Sequence, residues 1–69
     1  MPVRAMQTYV FYPRDHDSHG EAFEAHECAD DAEALLRAEA MLRTFRSAME
    51  IAIWQGARHV GSRSQDQLH

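Results

Sequence analysis

The chain has 69 residues, a net charge of −4 and one cysteine. That length excludes more than one small domain, and a lone cysteine excludes an internal disulfide. The seven basic residues, Arg4, Arg14, Arg37, Arg43, Arg46, Arg58 and Arg63, form no run or stripe, which argues against nucleic-acid binding.

No apolar stretch reaches membrane-spanning length, and "MPVRAMQ" lacks the apolar segment of a secretory signal. The expectation is a cytoplasmic protein with no membrane partner. Hydrophobic residues make up 45% of the chain, enough for a folded domain. Scaffolds this small usually need a staple, either a metal or a partner chain when disulfides are absent.

"MQTYVFYP" reads as a strand, because Tyr9, Val10, Phe11 and Tyr12 favour extended backbone. Pro13 has no N–H to give to a ladder and is expected to end it. "RDHDSHGE" carries the turn formers Asp15, Asp17, Ser18 and Gly20. "AFEAHECA" reads as a second strand, so the pair forms an antiparallel hairpin.

"DDAEALLRAEAMLRTFRSA" predicts a helix from residue 30 to about 47. Asp30 suits the N-cap, with Glu33 three positions on in a capping-box pattern. Asp31 and Glu33 sit where the helix dipole favours carboxylates. Leu35, Ala38, Leu42, Phe45 and Met49 recur at helical spacing and share one face. Glu33–Arg37 and Glu39–Arg43 are i,i+4 ion pairs.

"MEIAIWQ" returns to a period of two, with Met49, Ile51 and Ile53 on one side and Glu50, Ala52 and Trp54 on the other. Gly56 suits a turn with positive φ, and "RHVGS" supplies a fourth strand. Residues 63–69 are polar and are expected to be loose, leaving an ordered core of about 6–62 in a single domain spanning 1–69.

The order ββαββ gives an α+β fold: a four-stranded mixed sheet with one helix packed on one face. A right-handed crossover through the helix makes the third strand parallel to one of the first two. The preferred strand order is 2-1-3-4, with 1-2-3-4 as the alternative. Leu35, Leu42, Phe45, Ile51 and Ile53 are the expected heart of the core.

The stretches "ECADDAEALLRAEAML" and "EIAIWQGARHV" resemble a group of short, uncharacterised bacterial proteins. These share an aromatic first strand, an "ECADDAEAL" junction and a closing "W-[EQ]-G-x-R-x-V" hairpin. The resemblance covers about residues 7 to 62, with Glu27, Cys28, Asp30, Asp31, Glu33, Ala34, Leu35, Trp54, Gly56, Arg58 and Val60 at the matched positions. It implies a fold and brings no activity. A fainter similarity, to HicB-type antitoxins, rests on a "Y-x-x-x-x-x-P" strand, a hairpin and an "EAL" helix. It implies binding to a protein partner. The DNA-binding segment common in that family has no counterpart here.

Several residues could carry chemistry. His16, His19 and His26 could hold a zinc ion, with Asp17, Glu21 or Cys28 as further ligands. Their spacing is not that of a metal motif, and His26 lies well along the outgoing strand. A solvated turn is the simpler reading. Cys28 ahead of a helix N-terminus could be a reactive thiol, but it lacks an oriented base and reads better as a small core residue. Glu27, Asp30, Asp31 and Glu33 are accounted for as caps and dipole partners. Trp54 and Arg58 could stack across the hairpin. No catalytic set and no cofactor site follow from these residues.

One helix covers one sheet face. With Val10, Tyr12, Ile51, Ile53 and Val60 assigned to the helix side, Tyr9, Phe11, Ala52 and Trp54 fall on the other, and Phe23 can join them. Such an apolar face calls for a partner, and a second copy, giving a homodimer, is the commonest kind. The sequence thus points to a non-enzymatic interaction module that self-associates through Tyr9, Phe11, Ala52 and Trp54. A metal-binding protein and an antitoxin-like regulator are the alternatives.

Overall fold

The computed structural model describes residues 5–15, 23–44 and 48–68. Its elements are β1 (Gln7–Asp15), β2 (Glu24–Cys28), α1 (Asp31–Thr44), β3 (Ala48–Gln55), β4 (Arg58–Ser64) and a 3₁₀ turn (Gln65–Leu68). The strands form one sheet in the order β2-β1-β3-β4, the preferred of the two expected orders. α1 lies across one face, chiefly over β3 and β4. No helix among the described residues is long and apolar enough to cross a membrane.

The sheet is antiparallel at every hydrogen-bonded junction, not mixed. β2 and β3 do run in the same direction, as the crossover argument requires. β1 lies between them and opposes both, so the parallel strands never share a ladder.

Capping sets the start of α1. The Asp30 carboxylate accepts from the Glu33 N–H at 2.9 Å, and the Asp30 carbonyl accepts from the Ala34 N–H at 3.1 Å. Glu33 reaches back to the Ala29 N–H at 2.7 Å, one residue beyond the usual capping-box partner. Two N–H groups at the strand-to-helix junction are thereby satisfied. At the other end α1 is described as far as Thr44, and the remaining expected positions 45–47 lie outside the described residues. The Glu39–Arg43 pair forms at 3.8 Å.

Ala34, Ala38, Met41 and Leu42 are the buried residues of α1, with Leu35 partly buried beside them. Beneath them lie Tyr9, Phe11, Cys28, Ile51 and Ile53, none of which has exposed surface. Phe45 lies outside the described residues. Met49 is 42% exposed and takes no part in the core.

The assignment of β1 faces is corrected here. Phe11 lies opposite Ile53, and directly opposed residues share a face. Tyr9 and Phe11 therefore point under the helix, while Val10 and Tyr12 point away. The sequence cannot decide this, because all four residues of "YVFY" are apolar and a one-residue slip exchanges the faces.

Pro13 does not end β1, which continues to Asp15. Pro13 lies opposite Ile51, whereas among the described residues β2 pairs with β1 only as far as Phe11. A proline fits there if its nitrogen points away from β3, toward the side where the β2 ladder has ended. Ile51 then turns its own N–H and C=O to β4, where it lies opposite Arg63. By alternation, the backbone groups of Ser62 and Ser64 point to the outer edge of the sheet.

The C-terminal segment is ordered rather than loose. β4 runs to Ser64, and the Gln65 side-chain amide donates to the Leu42 carbonyl at 2.8 Å and the Ala48 carbonyl at 3.0 Å. One side chain thus ties the last turn of α1 to the start of β3. Gly56, at φ 62°, makes the two-residue turn between β3 and β4.

Leu42→Ala should cost about 2–5 kcal/mol, because a fully buried leucine leaves a cavity where the helix meets the sheet. Urea denaturation followed by circular dichroism measures it, and an unchanged midpoint would contradict this packing. Asp30→Ala should lose about 0.5–2 kcal/mol through the missing cap, and Asp30→Ser should recover most of it.

Candidate functional site

Two features stand out from the fold: a polar cluster at one end of the sheet and the face that α1 leaves uncovered. The cluster centres on Asp31, the first residue of α1. Arg58 donates to it as a fork, Nη1 to Oδ2 at 3.0 Å and Nη2 to Oδ1 at 2.9 Å. The Tyr9 hydroxyl donates to Oδ1 at 2.8 Å. Arg58 Nη2 also donates to Gln55 Oε1 at 2.6 Å, Gln55 Nε2 to Gln7 Oε1 at 2.5 Å, and Gln7 Nε2 to the Ala29 carbonyl at 3.3 Å. The chain of bonds runs through β1, the β2–α1 junction, α1, β3 and β4.

Its electrostatics follow from that geometry. The Arg58 fork, aided by the Tyr9 hydroxyl, holds the Asp31 carboxyl below the usual carboxylate range. Burial, reinforced by Asp31, pushes the Tyr9 phenol up. The hydrogen bond to Asp31 also raises Arg58. A carboxylate already accepting three bonds is a poor general base, and a phenol with a raised pKa is a poor proton donor or nucleophile near neutrality. The arrangement is a lock between helix and sheet.

The uncovered face is built by alternation. Val10 lies beside Ala25 and Trp54, Tyr12 beside Ala52, and Ala52 beside Ser62. Tyr12 is 38% and Phe23 is 58% exposed, with their rings 5.7 Å apart. The Trp54 ring packs on His59 at 4.9 Å. Arg14 and Glu50 close one end of the face with an ion pair at 3.6 Å.

Of the residues expected on this face, Ala52 and Trp54 lie on it. Tyr9 and Phe11 do not, and Val10 and Tyr12 take their places. The expected Trp54–Arg58 stack is replaced. Arg58 turns to Asp31 on the helix side, and His59 takes the tryptophan.

His16 and His19 lie outside the described residues. His26 points to the helix side, edge-on to Phe11 at 5.4 Å, with Nε2 at 2.9 Å from Glu24 Oε1. No group of three metal-ligating residues occurs among the described residues. Cys28 is buried in the core. Glu27 is exposed opposite Thr8.

The cluster was not foreseen in the sequence. Its one usable sign was the capping pattern that places Asp31 in the first turn of α1. Gln7 and Gln55, separated by most of the chain, gave none. No match was found for this chain among protein-family models, curated proteins or solved structures.

The lock makes a pH prediction. Asp31 titrates lower in the folded than in the unfolded state, so it stabilises the fold above the ordinary aspartate value of about 3.9, and that contribution is lost as pH falls through the lowered value. Tyr9 works in the opposite range, with its contribution lost as pH rises from about 10 through the raised value. Arg58→Met should therefore destabilise at neutral pH and converge on the wild type in strong acid. Urea midpoints across a pH series test this, and a pH-independent difference would contradict it.

Proposed function

We propose that this protein is a non-enzymatic interaction module that forms a homodimer through the sheet face opposite α1. The observation that carries the reading is the composition of that face. Val10, Tyr12, Ala52 and Trp54 lie together on it beside Phe23, and no helix among the described residues covers them.

Size supports a second copy as the partner. Four strands about 4.8 Å apart, each rising about 3.3 Å per residue, give a face roughly 20 Å on each side. Side-chain relief brings its accessible area toward the roughly 600–1,000 Å² per partner of a stable interface. The rings of Tyr12, Phe23 and Trp54 are the kind of residue that dominates interface centres. The Arg14–Glu50 pair neutralises one end of the face, so two copies meet there without like-charge repulsion. Two such faces pack about 10 Å apart and supply the second core layer that a short chain lacks.

Trp54→Glu tests the proposal by sedimentation velocity. The wild type should run as a dimer at micromolar concentration and the variant as a folded monomer or an unfolded chain. A monomeric wild type with solvent-exposed Trp54 fluorescence would overturn it, and the face would then serve a different protein partner.

A further inference from the structure

The outer edge of β4 offers a second docking surface, distinct from the sheet face. β4 pairs with β3 on one side, and among the described residues no strand pairs with it on the other. Such an edge presents free backbone groups to any extended chain. Here two of those groups are already taken. The Ser64 N–H, which points outward by the register that Pro13 imposes, donates to Gln67 Oε1 at 2.9 Å. The Ser62 carbonyl, on the same edge, accepts from Arg63 Nη1 at 2.9 Å. Arg63 is held in place by its Nε, which donates to Glu39 Oε2 of α1 at 3.1 Å. The 3₁₀ turn is anchored in turn by Gln65, on the Leu42 and Ala48 carbonyls.

We infer that the C-terminal turn and Arg63 form a strap that closes the β4 edge, and that releasing it lets β4 pair antiparallel with β4 of a second copy. Gly61, Ser62 and Ser64 are small and bring no steric barrier to a neighbouring strand. Arg58 and Arg63, the charged residues that could guard this edge, are turned onto Asp31 and Glu39 of the helix. The strap hydrogen bonds are therefore the main obstacle to strand addition. The partner it fits is an identical strand, because a two-fold axis through the edge sets Ser62 and Ser64 of each copy against unpaired groups of the other.

The test introduces Gln67→Ala and Arg63→Lys together in the full chain. Lysine keeps a cation near Glu39, but its single ammonium cannot also serve the Ser62 carbonyl. Sedimentation velocity over a concentration series is combined with amide hydrogen exchange. The variant should gain a concentration-dependent association, with the Ser62 and Ser64 amides exchanging roughly tenfold more slowly as association proceeds. Over the same series, run above the concentration at which the face-to-face dimer is complete, the same residues of the wild type should show no dependence on concentration. The association should persist when Trp54→Glu is added, which separates the edge from the sheet face. A folded variant that associates no more than the wild type overturns the inference, as does new association that Trp54→Glu abolishes in a chain that circular dichroism shows to be folded; if Trp54→Glu unfolds the chain, Tyr12→Ser on the same face replaces it. If the paired substitutions unfold the chain, Gln67→Ala alone, which removes one exposed hydrogen bond, is read by the same two measurements.

Discussion

The Asp31 carboxylate is where the two halves of this protein are joined. It begins the helix, yet its partners come from the first strand and the last. Tyr9 reaches it from β1 and Arg58 from β4. Apolar packing alone would allow α1 to slide or rotate on the sheet, because alanine and leucine contacts are not directional. A planar fork and a fixed hydroxyl are directional, and they specify one helix position. The neighbouring Asp30 does a different task with the same side chain, closing the helix N-terminus through the Glu33 amide. In the "ADDAE" stretch the first aspartate therefore makes the helix and the second places it.

The same junction gathers residues from distant parts of the chain. Gly56 allows the turn, the turn delivers Arg58, and Arg58 meets Asp31. Glu33 satisfies Ala29, whose carbonyl receives Gln7. Residues that resemble a catalytic set in a list of acids, amides and an arginine are mutually saturated in space. The apolar residues that α1 leaves uncovered, Val10, Tyr12, Ala52 and Trp54, lie on the opposite side of the sheet.

The element order and the helix cap were legible in the sequence because each rests on a local rule: period, turn chemistry or capping. The strand order was open between two arrangements, because the neighbours of β1 are fixed by pairing across the sheet. The face assignment of β1 was not. "YVFY" offers no polar residue to mark the outside, and the deciding fact is the pairing of Phe11 with Ile53, some forty residues away. Pro13 misled for a related reason. A proline ends a strand only where both sides are paired, and whether a side is paired is a property of the sheet. The C-terminal turn was unreadable because its order depends on one glutamine meeting two carbonyls from different elements. Arg58 was visible as a candidate partner for Trp54, but the hairpin register pairs Trp54 with His59 and Gln55 with Arg58, which sets Arg58 on the helix side.

The central position of β1 has a consequence for how the chain acquires its structure during synthesis. Of the four strands β1 emerges first, and one of its two neighbours, β3, only after α1. The early hairpin of β1 and β2 has no second layer until α1 and β3 follow, and an isolated hairpin is at best marginally stable in water. The lock at Asp31 waits longer still, for Arg58. All four strands and α1 must leave the ribosome before the sheet and its lock are complete, so these elements are secured together rather than in growing stages. Until then the aromatic first strand, with both of its faces apolar, is the segment most in need of protection by chaperones.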